Sequence, residues 1–269
     1  MSDPWAFTCL LPVWAEDDPA QFRQALASVA TGPLTPTRLL ICQDGDLPPA
    51  LATVVTEGVD QFGAEVCRNL GPKGLHHNLN NAAGHVDTPW IARADADDVN
   101  LPGRFAAQFS YLQAHPDVSI ISGAIEEFWP DGRTRLRSLP TDHEAIIRWA
   151  RYRSPINHMT ALFRTDLFRA CGGYPDVPQK EDYALWIKMI AREARFANLP
   201  QILARARLGS DFYSRRAGIR NLASEWAIFR LKRRTPQLAG WATAAWISRS
   251  LALSARWPAQ VIYEALLRR

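Results

Sequence analysis

Three carboxylates stand within four residues, Asp95-Ala96-Asp97-Asp98, directly after the strand-like run Thr88-Pro89-Trp90-Ile91-Ala92-Arg93-Ala94. Carboxylate oxygens are the ligands that hard cations such as Mg2+ or Mn2+ take, and open α/β sheets bind ligands at the carboxyl ends of their strands. An Asp-x-Asp pair there can hold a divalent cation against a diphosphate. The same residues also suit a solvated loop in which Asp97 or Asp98 caps a helix beginning within Asn100-Leu101-Pro102-Gly103-Arg104-Phe105. Arg93, alone in an apolar run, needs a partner, either one of these carboxylates or a phosphate. A second acidic pair, Glu181-Asp182, opens a stretch whose apolar face is Leu185, Trp186 and Met189. At a helix start the dipole favours the ionised form, and an ionised carboxylate beside a crevice can draw a proton from a hydroxyl. The alternative is a pair that only stabilises the helix start.

The elements that must position these groups follow from hydrophobic periodicity. Residues 6–13 form a continuous apolar run, as a central parallel strand requires. Asp18-Pro19 then opens a helix through Phe22, Ala25, Leu26 and Val29. A strand over 38–43 ending at Asp44-Gly45, a helix over 49–59, a strand over 64–69, a helix over 74–83 and the Trp90 strand follow. This alternation predicts an α/β fold, a mostly parallel, Rossmann-like sheet with helices on both faces. The loops after its strands gather on one edge, placing Trp14-Ala15-Glu16, Asp44 and Asp95 to Asp97 around one crevice. Farther on, the pattern predicts a helix over 104–114, a strand over 118–125 and a hairpin over 124–138 turning at Trp129-Pro130-Asp131-Gly132. A helix near 141–152, a strand over 158–164, a turn-rich loop at Cys171-Gly172-Gly173-Tyr174-Pro175 and a helix over 180–190 complete it.

Composition narrows the classes. At 269 residues the chain can bury a substantial core. Residues 1–213 read as one catalytic domain and 214–269 as a helical extension. The four cysteines lie far apart with no Cys-x-x-Cys pair, against a zinc site or a disulfide framework. The N-terminal residues lack a basic region and an unbroken apolar stretch, so a cytoplasmic protein is expected. Net charge is +4, unevenly placed: residues 214–269 carry 11 basic and 2 acidic side chains, the remainder 20 and 25. A basic tail on a mildly acidic body suits an anionic partner, membrane phospholipid or nucleic acid.

In order along the chain, the motifs are Leu10-Leu11-Pro12-Val13-Trp14, Gln43-Asp44-Gly45, Lys73-Gly74-Leu75 with Asn80, Ile91 to Asp98, Gly172-Gly173-Tyr174, and Lys180-Glu181-Asp182-Tyr183 with Leu185-Trp186. This ordered set, spanning about Phe7 to Gly218, resembles the family 2 glycosyltransferases with the GT-A fold, particularly the bacterial polysaccharide and O-antigen type. Two positions depart from the family pattern: Gln43 stands where an acid is usual, and Trp14 where a Tyr is. The resemblance implies an inverting sugar transferase using a nucleotide diphosphate donor, UDP-linked above all, and a hydroxyl acceptor on a glycan or lipid-linked saccharide. It implies a nucleotide-sugar site of Pro12, Trp14, Glu16, Asp44, Lys73, Asn80, Arg93 and Asp95, with Asp44 against the base and Asp95 near the ribose. Asp97 becomes the direct ligand of a divalent cation, with Asp95 beside it, and Asp182 the general base, with Glu181 shaping the acceptor site. His158 and Trp186 fall where the family lines the sugar or acceptor pocket, and Arg215-Arg216 where a loop can close over the diphosphate. His158 is equally readable as a core histidine, the paired arginines as the start of the basic tail, and His76-His77 as a packed or solvated pair.

Two other functions fit an acidic α/β crevice. A nucleotidyltransferase would want a Gly-rich, basic loop after the first strand, whereas Glu16-Asp17-Asp18 would repel a triphosphate. A non-catalytic nucleotide-binding or membrane scaffold would have no need of both Asp97 and Asp182. In the tail, Trp226, Trp241, Trp246 and Trp257 alternate with Arg and Lys, the mixture of an interfacial helix. Arg249 interrupts the best apolar stretch, which argues against a spanning helix. Docking on an anionic membrane from the cytoplasmic side leads over packing on the domain, and no nucleic acid is expected as partner.

Overall fold

A computed structural model of the chain describes residues 3–209, 220–240, 242, 243, 246 and 247. The sheet begins with β1 (Phe7–Trp14), β2 (Arg38–Asp44), β3 (Glu65–Asn69) and β4 (Trp90–Arg93), all parallel, in the spatial order β3-β2-β1-β4. Between them lie α1 (Pro19–Ala30), α2 (Pro49–Phe62) and α3 (Leu75–Ala83). The side chains of β1 explain the two-sided layering. Phe7, Cys9, Leu11 and Val13 pack with Phe22 and Leu26 of α1 and Leu51 and Val54 of α2. Leu10 points the other way, into a cluster with Leu79 and Ala82 of α3. A strand buried on both faces must be apolar throughout, hence the unbroken run. Asp18 caps α1, its Oδ1 accepting from the amides of Ala20 and Gln21, each at 2.9 Å.

The second half of the sheet departs from the simple alternation. It contains β5 (Val99–Asn100), β6 (Val118–Phe128), β7 (Thr134–Arg137), β8 (Leu162–Arg164) and β9 (Arg195–Arg207), with α4 (Arg104–Ala114), α5 (His143–Ala150) and α6 (Thr165–Ala170). Strand β8 is antiparallel to both β4 and β6, and joins the two halves in the order β4-β8-β6-β9-β5. β6 and β7 form the expected hairpin.

The strand expected over 158–164 is cut short. Residues His158–Thr160 form a 3-10 turn and only Leu162–Arg164 pair. Side chains here take up backbone groups of β6 that a longer strand would pair: the Gly123 amide donates to Thr160 Oγ1 at 3.3 Å, and Asn157 Nδ2 donates to Gly123 O at 2.9 Å. Strand β9 has no signal in the periodicity because Pro200 interrupts it. The ladder accommodates that residue with a bulge, Leu199 pairing Gly123 and Ile202 pairing Ala124.

Helix α7 (Glu181–Ile190) packs its Leu185, Trp186 and Met189 into the core beside β8. Helix α8 (Arg220–Arg233) lies against α7 and contributes Ile228 to the same cluster. All four cysteines are buried and free. No helix among the described residues is long and apolar enough to cross a membrane.

Candidate active site

Register determines what meets at the carboxyl edge of the sheet. Trp14 of β1 pairs with Asp44 of β2, and Asp44 with Asn69 of β3, whereas Leu10 pairs with Arg93 of β4. The chain beyond β4 therefore turns out below the tip of β1, and its acidic residues sit beside the β1 loop.

Arg93 is 2 % exposed, and its Nη2 lies 2.5 Å from Asp95 Oδ1. This carboxylate is one of the two partners expected for it. The Nε and Nη1 of Arg93 have no hydrogen-bond partner among the described residues. Below it, Arg104 donates from Nη2 to the Arg93 carbonyl at 2.8 Å, so a second buried guanidinium supports the strand end.

Asp95, Asp97 and Asp98 each offer a carboxylate oxygen within 4.8 Å of the others. Asp97 is exposed, Asp95 half-buried and Asp98 3 % exposed. The expectation that Asp97 or Asp98 caps the next helix is overturned. Chain direction changes through β5 first, and α4 starts after Gly103, whose φ of 87° supplies the turn. Asp98 points inward instead, its Oδ1 accepting from the amide of Arg207 at 2.9 Å, while Arg207 Nε donates to Asp97 O at 3.3 Å. Burial, then Asp95 and Asp97, push the Asp98 carboxyl well above the usual range. Asp17 joins them: burial, with Asp97 and Asp95, raises it to about 6, although its Oδ2 accepts from the Trp14 amide at 2.9 Å. Neither Arg207 nor Asp17 was singled out from sequence, Arg207 because β9 was hidden by Pro200. A cluster of mutually repelling hard oxygens fits a divalent cation such as Mg2+ or Mn2+ in donor chemistry and charge.

The second acidic pair faces the same space. Glu181, 9 % exposed in the first turn of α7, is pushed up to about 7 by burial and then by Asp182; Arg93 and Asp95 are also close enough to act on it. The expectation that the helix N-terminus keeps both carboxylates ionised is therefore corrected for Glu181: desolvation outweighs the dipole. Asp182 is half-buried and accepts from Ser154 Oγ at 3.4 Å. Between the two acidic groups stand Tyr174 and His158, with His158 Nε2 2.9 Å from the Tyr174 hydroxyl. Burial and Arg93 hold the imidazole well below its ordinary pKa, so it is neutral. The Tyr174 phenol is raised by burial and is within reach of Arg93, Asp182, Glu181 and Asp95.

The remaining expected residues divide. Asp44 accepts from Asn69 Nδ2 and from the Gly74 amide, both at 2.9 Å, and so ties β3 and α3 to the crevice. Gln43, where the family usually has an acid, is buried and donates to Gly45 O at 2.8 Å, which fixes this turn. Lys73 lies across Gly45: a Cβ there would meet its Cε at 3.2 Å. Trp14 and Glu16 are exposed at the rim. Pro12 is buried within β1, one turn of the pleat below the edge, and presents no surface to a ligand. Asn80 spends its amide on the Tyr174 backbone, donating to the carbonyl and accepting from the amide at 2.8 Å each. It holds the loop after Gly172 and Gly173, both at positive φ. Trp186 is a correction: at 0 % exposure it packs edge-on against Phe163 and His158 and lines no pocket. His76 and His77 are a packed pair, ring centroids 3.9 Å apart, with His76 Nε2 3.3 Å from Asp176. Arg215 and Arg216 lie outside the described residues.

Comparison with known proteins places this arrangement. Residues 8–173 match the family described as Glycosyl transferase family 2. An uncharacterized glycosyltransferase of Haemophilus influenzae is 34 % identical over 230 residues, covering 85 % of each chain. The amylovoran biosynthesis glycosyltransferase AmsE of Erwinia amylovora is 33 % identical over 230 residues, covering 84 % of this chain and 85 % of its own. A UDP-Gal:alpha-D-GlcNAc-diphosphoundecaprenol beta-1,3-galactosyltransferase of Escherichia coli is 29 % identical over 226 residues, 81 % of this chain and 80 % of that one. Among solved structures, S. aureus TarS 1-349 with UDP-GlcNAc superposes with a TM-score of 0.75 at 14 % identity, over 96 % of this chain and 78 % of that one. The Pyrobaculum calidifontis mannosyltransferase PcManGT, in complex with GDP-Man and Mn2+, gives 0.63 at 15 % identity over the same shares. These neighbours establish the GT-A type of α/β fold, and the sequence matches establish the rest: the chain is a glycosyltransferase and belongs to glycosyl transferase family 2.

Proposed function

We propose that this chain transfers a sugar from a UDP-sugar to a hydroxyl of a glycan or lipid-linked saccharide, with inversion, in cell-surface polysaccharide biosynthesis. The observation that carries the reading is the meeting of two acidic groups across one crevice, with Glu181 in the electrostatic reach of Arg93 and Asp95. The names of the E. amylovora and E. coli relatives supply the polysaccharide setting and the UDP-linked donor.

Asp97 and Asp95, with Asp98 beneath, would hold Mg2+ or Mn2+. When bound, such an ion offsets charge on the departing diphosphate as a Lewis acid. Arg93 holds the Asp95 carboxylate in place and keeps two donor nitrogens, Nε and Nη1, in reserve beside it. Asp44 and the Gly74 turn form the floor for the nucleoside, with Lys73 at its edge. Asp182 takes the proton of the acceptor hydroxyl as that oxygen attacks the anomeric carbon from the face opposite the diphosphate. Glu181, neutral up to about pH 7, donates a hydrogen bond toward the acceptor without competing for that proton.

The domain boundary near residue 213 and a peripheral position on the cytoplasmic membrane face belong to the same proposal. Trp226, Phe229 and Trp246 form an aromatic cluster with ring centroids 5.0 to 5.5 Å apart, and Trp226 and Ile247 are about half exposed. Exposed Arg230, Arg233 and Arg234 flank it, the pattern of a surface resting on anionic lipid. Flotation with phosphatidylglycerol vesicles tests this; a Trp226→Ala/Phe229→Ala chain that floats as well as the parent refutes it.

The donor assignment is tested by thermal stabilisation and slow hydrolysis of UDP-galactose and UDP-GlcNAc, with and without Mn2+, using Asp97→Ala as control. Metal-dependent response lost in Asp97→Ala is expected. No response to any nucleotide sugar would overturn the reading.

A further inference from the structure

Helix α8 buries an unusually polar face. Ser224, Glu225 and Lys232 are each 3 % exposed, and they share the buried side of the helix with Ile228 and the partly buried Ala227 and Leu231. Burying charge costs more than burying an aliphatic side chain of the same volume, so packing alone does not account for this face.

What the polar groups grip is specific. Ser224 Oγ donates to Pro178 O at 2.9 Å, and Glu225 forms an ion pair with Lys180. Between those two contacts Gln179 has a φ of 63°, a left-handed conformation that a residue with a Cβ rarely adopts. Glu181 and Asp182 follow directly after Lys180. About two helical turns farther along, Lys232 Nζ donates to Arg151 O at 2.9 Å and lies 4.8 Å from the Tyr183 ring centroid. Tyr183 in turn donates to Ala150 O at 2.6 Å. That segment leads to Ser154, whose hydroxyl lies 3.4 Å from Asp182 Oδ2 and 3.3 Å from Ile156 O, the two acceptors within its reach. Both sides of the Asp182 carboxylate, the turn that launches its helix and the segment that carries its hydrogen-bond donor, are therefore held by α8.

We propose that α8 completes the active site: Ser224, Glu225 and Lys232 are positioning residues that aim the Asp182 carboxylate by clamping the 178–180 turn and the 151–154 segment. The proposal rests on the reading of Asp182 as general base. It assigns part of the C-terminal extension to catalysis, whether or not that extension also meets a membrane. A carboxylate displaced by about 1 Å from the attacking hydroxyl loses on the order of 100-fold in rate.

The test uses the full-length chain with Mn2+ and UDP-galactose or UDP-GlcNAc, following kcat and KM for donor hydrolysis, UDP affinity and melting temperature. Lys180→Met/Glu225→Leu removes both charges and keeps volume, a change that leaves stability near its original value. Ser224→Ala is the milder companion. The expected result is a kcat lowered about 10- to 100-fold, with UDP affinity, donor KM and melting temperature retained. Unchanged kcat overturns the proposal. So does a kcat that falls only in step with melting temperature and UDP affinity, which marks a purely structural helix. Asp182→Asn, measured alongside, separates this from the reading beneath it: an inactive Asp182→Asn with fully active α8 variants removes the clamp alone. An active Asp182→Asn, or no turnover of either donor by the parent chain, removes both.

Discussion

Replacing Glu181 with Gln should stabilise this enzyme at alkaline pH and leave it unchanged in acid. The carboxyl is 9 % exposed and rises from an ordinary 4.5 to about 7 in the folded chain, burial being the main cause and Asp182 the next. Below pH 4.5 it is neutral both folded and unfolded, and costs nothing. Between 4.5 and 7 the unfolded chain releases its proton while the folded chain retains it, so stability falls as pH rises. Above 7 the folded chain carries the ionised group and the full penalty. At 1.36 kcal/mol per pH unit the span corresponds to about 3 kcal/mol. For a chain of this size that is a melting-temperature difference on the order of 6 °C. The assay is reversible thermal or urea unfolding of parent and Glu181→Gln from pH 4.5 to 8.5, with chelator present, because a cation near Asp95 would draw the carboxyl down. The gap between the two chains should open in favour of the variant as pH climbs and level off above 7. A gap that is the same at pH 4.5 and 8.5, or that closes with rising pH, would refute the assignment of a buried, neutral Glu181.

Two further outcomes follow from the geometry of the crevice. Asn80→Ala leaves the Tyr174 amide and carbonyl without their partner; a loss of about 2 kcal/mol is expected by urea unfolding, and donor affinity should weaken only through the loosened Gly172-Gly173 loop. Arg93→Met strands Asp95 in a half-buried site without its cation; a loss of about 3 kcal/mol is expected in metal-free buffer, with Arg93→Met/Asp95→Asn recovering much of it.

Legibility in the sequence followed the physics of each element. The parallel half was readable because its strands are buried on both faces and its helices carry one apolar stripe; Phe22, Ala25, Leu26 and Val29 all fall in the core. The second half was harder: β5 spans two residues and β9 contains Pro200, so neither leaves a periodic trace, and β8 keeps only three residues of the longer strand its apolar run suggests. That gap had a consequence at the site. With β9 unseen, Arg207 was unseen, and Asp98 was free to be read as a helix cap although its carboxylate is turned inward onto the Arg207 amide. The acidic motifs themselves were legible from residue type and order. Burial was not: nothing local distinguishes Trp186, sealed in the core, from a Trp lining a pocket, or tells that Glu181 is desolvated and its neighbour Asp182 less so. The α8 clamp was equally hidden, since Ser224, Glu225 and Lys232 read as surface residues of a basic tail until the helix is seen against α7.

The central claim, that the α7 carboxylate serves the acceptor across the crevice from a metal-held diphosphate, meets its most direct test in Asp182→Asn. At saturating donor and Mn2+, kcat should fall by about 100- to 10,000-fold, the usual contribution of a general base, while UDP and Mn2+ bind as they do to the parent. Turnover within a few-fold of the parent would contradict the account.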